Sequence, residues 1–299
     1  MSSQIIGERG FKPFEELGFT DYFMFGHVMK DPKICKEVLE CLLQHPVGDL
    51  KDVVREREIQ CTSDGKPIRL DICTEDDTTV YDAEMQNLNH KSIESLELPK
   101  RCRFYQSAID NDHMDKKYNY RDLSDSIILF ICTFDPFKKG LGLYTFTTRC
   151  EEDRSIELGD GTKKIFYNCC YGGDDIPEDL RQFYRYIETG KAENEMTEHL
   201  NDAVFRARRE GELRSSYLKE MVWLADERRD ARKEGYDEGY DEGHDKGYDE
   251  GYDKGELKGI EKERKNTEDE RKRADKAEDR IKELEAQLDS LKKASTLEI

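Results

Sequence analysis

A chain of 299 residues has room for one sizeable domain with extensions, or for two domains. With 39% charged and only 35% hydrophobic residues it departs from the ordinary globular balance, so part of it lies outside any packed core. The formal charge is −19, of which residues 231–299 carry −6 and the front part −13; neither part attracts a phosphate backbone as a whole, so contact with nucleic acid would rest on a local basic surface or on bound cations.

The first residues, MSSQIIGERGFKPFEEL, lack the apolar core of a secretory signal, and the longest apolar run is IILFIC. Neither export nor a membrane span is expected, and the location expected is cytoplasmic. Nine cysteines without CxxC pairs read as reduced, mostly buried thiols.

In chain order, FTDYFMFGHVMKDPKICKEVLECLLQ predicts two helices split at Asp31-Pro32, with Ile34, Val38, Leu39 and Leu42 on one face. VVREREIQC, PIRLDIC and TTVYDAEMQ, separated by SDGK and TEDD, predict a three-stranded antiparallel meander. A helix is expected from about residue 97, with Leu98, Cys102, Tyr105 and Ile109 at helical spacing and Pro99 near its start. SIILFICTF (126–134) has the texture of a strand covered on both faces, and its connection length suits parallel entry into the sheet. GLYTFTTRC and KKIFYNCC are further strand candidates, and helical segments follow from about 177 to 232. The fold class expected is α/β, a mixed sheet with flanking helices, a helical C-terminal extension and a short coiled coil.

From Gly235 to Gly259 glycine recurs every four residues in GYDE-like repeats. In a helix each repeat would carry the glycines roughly 40° further round, and each glycine costs about 1 kcal/mol relative to alanine. A marginal helix and a flexible acidic linker both fit the segment 233–260. Neither the EF-hand spacing nor paired-glycine calcium repeats are present. In 261–299, Ala274, Ala277, Ile281, Leu284, Leu288 and Leu291 alternate three and four apart, which predicts heptads and a homo-oligomer.

Acids sit inside two strands, at Asp71, Asp82 and Glu84, where charge must be solvated or paired. Strand alternation places Asp82, Glu84 and Gln86 on one face, and likewise Arg69, Asp71 and Cys73. Neighbouring strands then bring Asp71 near Glu84, and two such carboxylates supply hard oxygen ligands of the kind Mg²⁺ prefers. Acids facing water on a half-covered sheet are the plainer alternative.

Order and spacing add a resemblance. FTDYFMFGHVM, RLDI (69–72), DAEMQ (82–86) and RCRFY (101–105), within a helix, three strands, helix, strand order spanning about residues 18 to 135, resemble the PD-(D/E)xK nucleases. More specifically they resemble the recombination-promoting nuclease family, whose members also carry a transposase label. The resemblance implies a restriction-endonuclease-like αβββαβ core in a domain of residues 1–175, followed by a helical extension (176–232), the glycine repeats (233–260) and the charged helix (261–299). It implies a metal-dependent DNA endonuclease associated with recombination or mobile elements, with DNA as partner and Mg²⁺ as cofactor, Mn²⁺ or Ca²⁺ being able to stand in.

Asp71 and Glu84 would be the metal ligands, and Gln86 would occupy the place of the superfamily's lysine, where it can orient a water or phosphate oxygen but not act as a base. Asp21 is either a further acid or a capping residue. Arg101 and Tyr105, four apart on one helix face, could meet a phosphate together, or Arg101 could pair with a nearby acid. Lys100 and Arg103, with Lys116, Lys117 and Arg121, form a basic candidate for a DNA track, against a merely solvated helix end. The competing function is a catalytically inactive nuclease-like domain that acts as an oligomeric interaction protein through its heptads.

Overall fold

The computed structural model describes residues 11–60, 68–87, 97–114 and 119–296, with side chains given as far as Arg280 and at Lys282. It divides after Trp223 into two compact units. Among the described residues no helix is long and apolar enough to cross a membrane.

The first unit is α/β. Helices α1 (Tyr22–Met29) and α2 (Pro32–Leu43) are separated as expected at Asp31-Pro32. Asp31 caps α2 by accepting from the Lys33 amide at 2.9 Å, and Pro32 occupies the first turn, where its missing N–H costs nothing. Strands β1 (Lys51–Ile59), β2 (Ile68–Glu75) and β3 (Thr79–Gln86) form the antiparallel meander. After helix α3 (Glu97–Met114), strand β4 (Asp125–Cys132) enters parallel to β3, and β6 (Thr162–Asn168) is parallel to β4. The short β5 (Leu143–Phe146) pairs antiparallel with β6, which gives a six-stranded mixed sheet in the order β1-β2-β3-β4-β6-β5. From Ser126 to Cys132 every residue of β4 is buried, as its unbroken apolar run predicts for a strand with neighbours on both sides and cover on both faces.

Helices α4 (Glu178–Thr189) and α5 (Glu195–Ala207) pack with α1 and α2 and belong to the first unit. So do the opening turns of α6 (Gly211–Thr296): Tyr217 packs against Phe14 and Phe23 and donates to the Lys12 carbonyl at 2.5 Å. α3 covers the sheet through Leu98, Cys102, Tyr105 and Ile109, all buried in one cluster with Ile128 and Phe130.

The second unit is helical. α6 runs without interruption through the glycine repeats, so the segment left open between helix and linker is a helix. Every residue from Glu227 to Arg280 is exposed in the single chain, including Ala274 and Ala277 of the heptad pattern. The side chains of Ile281, Leu284, Leu288 and Leu291 lie outside the described residues.

Regular alternation fails in β1 and β2. Arg55 stacks over Phe23 of α1, whereas Arg57, two residues on, pairs with Asp112 of α3 on the opposite face of the sheet. Glu56 between them has φ 55°, a left-handed conformation that turns the strand over. β2 follows, with Arg69 over Tyr22 of α1 and Cys73 against Arg57. The expectation that Arg69 and Cys73 share a face is therefore corrected. Gly26 permits the close approach on the α1 side, since a Cβ there would stand 2.6 Å from the Arg55 Nε.

Candidate functional site

Backbone pairing between β2 and β3 runs from Glu75–Val80 to Ile72–Ala83. Beyond that point side chains take over. The Glu84 Oε1 accepts from the Asp71 amide at 2.8 Å, and the Asp71 Oδ2 accepts from the Met85 amide at 3.1 Å. One step along the register sets Asp71 opposite Glu84, and their carboxylates occupy the gap where ladder bonds would otherwise lie. Asp71 is half-buried.

Asp82 and Glu84 are buried, at 0% and 2% exposure, because β3 is an interior strand covered by α3. The reading of these acids as a solvated face is thereby overturned. Among the described residues neither oxygen of Asp82 has a hydrogen-bond donor. The Glu84 carboxyl is the group within reach, and two carboxyls bond to each other only by sharing a proton. Asp82, two residues from Glu84 on the same face, is the member of the cluster to which sequence reasoning assigned no role; the period of two was the signal for it.

The cation of the cluster is Arg101, from the second turn of α3. Its Nη2 lies 3.9 Å from the Glu84 Oε2, and its guanidinium stands over the rings of Tyr105 and Phe130 at 5.6 and 5.9 Å. Nε and Nη2 are buried without a hydrogen-bond acceptor among the described residues. The Tyr105 hydroxyl donates to the Arg69 carbonyl at 3.5 Å. Arg101 and Tyr105 thus meet as their spacing predicts, and Arg101 faces an acid.

Arg101 acts on all three acids, Arg69 and Arg55 act on Asp71 as well, and their proton affinities follow. Burial lifts Asp71 to about 6 against the opposing pull of the Met85 amide and of Arg101, Arg69 and Arg55. Burial and the charge of Asp71 hold Glu84 and Asp82 well above the usual carboxylate range.

The remaining sequence candidates are placed differently. Asp21 precedes α1, and its Oδ2 accepts from the Gly18 amide at 2.6 Å and from Lys12 Nζ at 2.7 Å, so it closes the turn into the helix. Gln86 ends β3, and its side chain makes no hydrogen bond among the described residues. Lys100 and Arg103 are exposed on α3, as is Arg121 beyond it, while Lys116 and Lys117 lie outside the described residues. The eight described cysteines are all free and six of them are buried.

A divalent cation fits the donor chemistry here: hard oxygens, like charges crowded in a buried setting, and an acid with no donor. Among the described residues no group of three or more His, Cys, Asp or Glu is arranged to hold a metal. Two carboxylates, with waters and a phosphate completing the shell, are the ligand set Mg²⁺ commonly keeps. Compared with family models, with curated proteins and with solved structures, the chain gives no match.

Proposed function

We propose that the chain is a metal-dependent DNA endonuclease of the PD-(D/E)xK type, related to the recombination-promoting nucleases and acting in the cytoplasm. The observation that carries this reading is the cross-strand placement of Asp71 and Glu84, with Glu84 accepting from the Asp71 amide and Asp71 from the Met85 amide. A buried carboxylate set against a half-buried one is unfavourable without a cation, and Arg101 at 3.9 Å from Glu84 is a partial answer to several charges. The αβββαβ order from α2 to β4, with α1 before it, supports the core that the resemblance implies.

Asp71 and Glu84 would hold the ion. When bound, it lowers the pKa of the attacking water and offsets charge developing on the phosphoryl oxygens. Gln86 orients water or a phosphate oxygen from the end of β3. Arg101 pulls against the raised pKa of Glu84 and would meet the phosphate from α3. Recombination or movement of mobile elements is the setting that suits such hydrolysis.

The test is nicking of supercoiled plasmid with Mg²⁺ or Mn²⁺, against EDTA and against Asp71→Ala and Glu84→Ala, read together with melting temperature. We expect the variants to lose activity on the order of 10²- to 10³-fold. Saturating Mn²⁺ at about 100 times its Kd should stabilise the wild type by about 2.7 kcal/mol and leave both variants unmoved. Intact plasmid in every lane, with no metal-dependent stabilisation, would sink the nuclease reading in favour of a noncatalytic oligomeric protein.

A further inference from the structure

On the other side of α3 from the acids lies a cleft of about 440 Å³, a size typical of small-molecule sites. The helical period separates it from the cluster: Arg101 and Tyr105 look one way, and Arg103, Gln106 and Asp110 line the cleft. Its opposite wall is aromatic. Phe137 and Phe166 meet edge to face at 5.2 Å, Phe146 and Phe166 at 5.7 Å, and Phe146 keeps 45% of its surface exposed.

The polar lining is unevenly satisfied. Gln106 is only 7% exposed; its Nε2 donates to the Asp110 Oδ1 at 2.9 Å and to the Ser126 hydroxyl, while its Oε1 has no partner among the described residues. A buried acceptor left in that state favours any ligand that brings an N–H. Asp110 adds a second acceptor beside it. Two cations complete the lining, Lys164 from β6 and Arg103 from α3, and Arg103 makes no ion pair among the described residues.

An aromatic wall, adjoining acceptors and flanking cations complement a flat heteroaromatic ring that carries N–H donors and a phosphate. We propose that this cleft binds a nucleotide, with its base against Phe146 and Phe137, its amino edge on Gln106 and Asp110, and its phosphate toward Arg103 and Lys164. The ligand is either a free nucleotide or one residue of a single strand. The site does not depend on the hydrolytic reading, since none of the three acids lines the cleft.

The test measures binding to the full chain in EDTA, where no metal-dependent cleavage occurs, by calorimetry with dAMP, dCMP, dGMP and dTMP and with a short single-stranded oligodeoxynucleotide. The amino-bearing bases should bind more tightly than dTMP, and Gln106→Leu should erase that preference. Phe146→Ala should weaken binding roughly 5- to 150-fold, the range for loss of one base–aromatic stack. Arg103→Glu, at an exposed position that leaves folding intact, should weaken the nucleotides while sparing the matching nucleosides. Saturation by mononucleotides identifies a free ligand, and saturation by the oligomer alone identifies a strand. No saturable binding by either, or wild-type affinity in both Phe146→Ala and Arg103→Glu, overturns the proposal.

Discussion

Two regions of this chain carry carboxylates in opposite circumstances. In β2 and β3 two buried acids and the half-buried Asp71 crowd together beside Arg101, and the carboxyl groups rise in pKa because burial disfavours their charge. Along α6 the acids stand in solvent, several of them one turn from a lysine, as in Glu242–Lys246, Glu250–Lys254 and Glu268–Lys272. Such exposed pairs contribute about 0.3–0.5 kcal/mol each. The net charge of −19 thus has little to say about mechanism. What matters is where a few charges lose their water.

The sharpest way to break that contrast is Arg101→Ala, which removes the cation nearest Glu84 among the described residues. A breached buried pair costs about 3–5 kcal/mol, and the 33% exposure of the Arg101 side chain argues for the lower end, about 3 kcal/mol by chemical denaturation. An unchanged midpoint would mean that the acids are held protonated and need no guanidinium.

Titration sharpens it next. Because the folded values of these acids lie above their unfolded values near 4, the folded state holds protons that the unfolded chain releases. Metal-free protein should therefore be more stable near pH 4 than near pH 7 with respect to these groups, losing roughly 1–3 kcal/mol as pH rises through about 6. Asp82→Asn removes one of the crowded charges, so it should flatten the slope and raise the melting temperature at pH 8 in EDTA. A flat wild-type profile, or a variant that melts lower at pH 8, contradicts this account.

The smallest effect is expected in the tail. A Cβ added at Gly243 or Gly247 meets nothing within 4 Å, so alanine there changes propensity and little else. Each replacement should favour the helix by about 1 kcal/mol, read as increased ellipticity at 222 nm and a later melt of the helical signal. No gain would show that a partner already enforces the helix.

Much of this architecture is legible from the residues themselves. Asp31-Pro32 signals a helix boundary through capping and a missing donor, and the unbroken run in β4 signals an interior parallel strand. The proximity of Asp71 and Glu84 follows from period two and antiparallel neighbours. The depth of Asp82 does not, because burial depends on α3 arriving from outside the hairpin. Nor does the reversal at Glu56, a glutamate in a conformation that no composition rule assigns to it. The cleft escaped notice because it is assembled from α3, β5, β6 and the turn carrying Phe137, which are distant in sequence. In α6 the glycine content argued against continuity, and the continuous helix prevails over it.

The twist at Glu56 has a counterpart at Asp52, with φ 42°, and the register of β1 slips between Lys51 and Val54. β1 is an outer strand of the sheet, and the opposite margin, β5, is only four residues long. One border is buckled and heavily ionic and the other is stubby, so neither offers a straight row of amides and carbonyls on which a stranger's strand could zip up. Edges of this form guard a sheet with such an apolar centre against fibrous stacking.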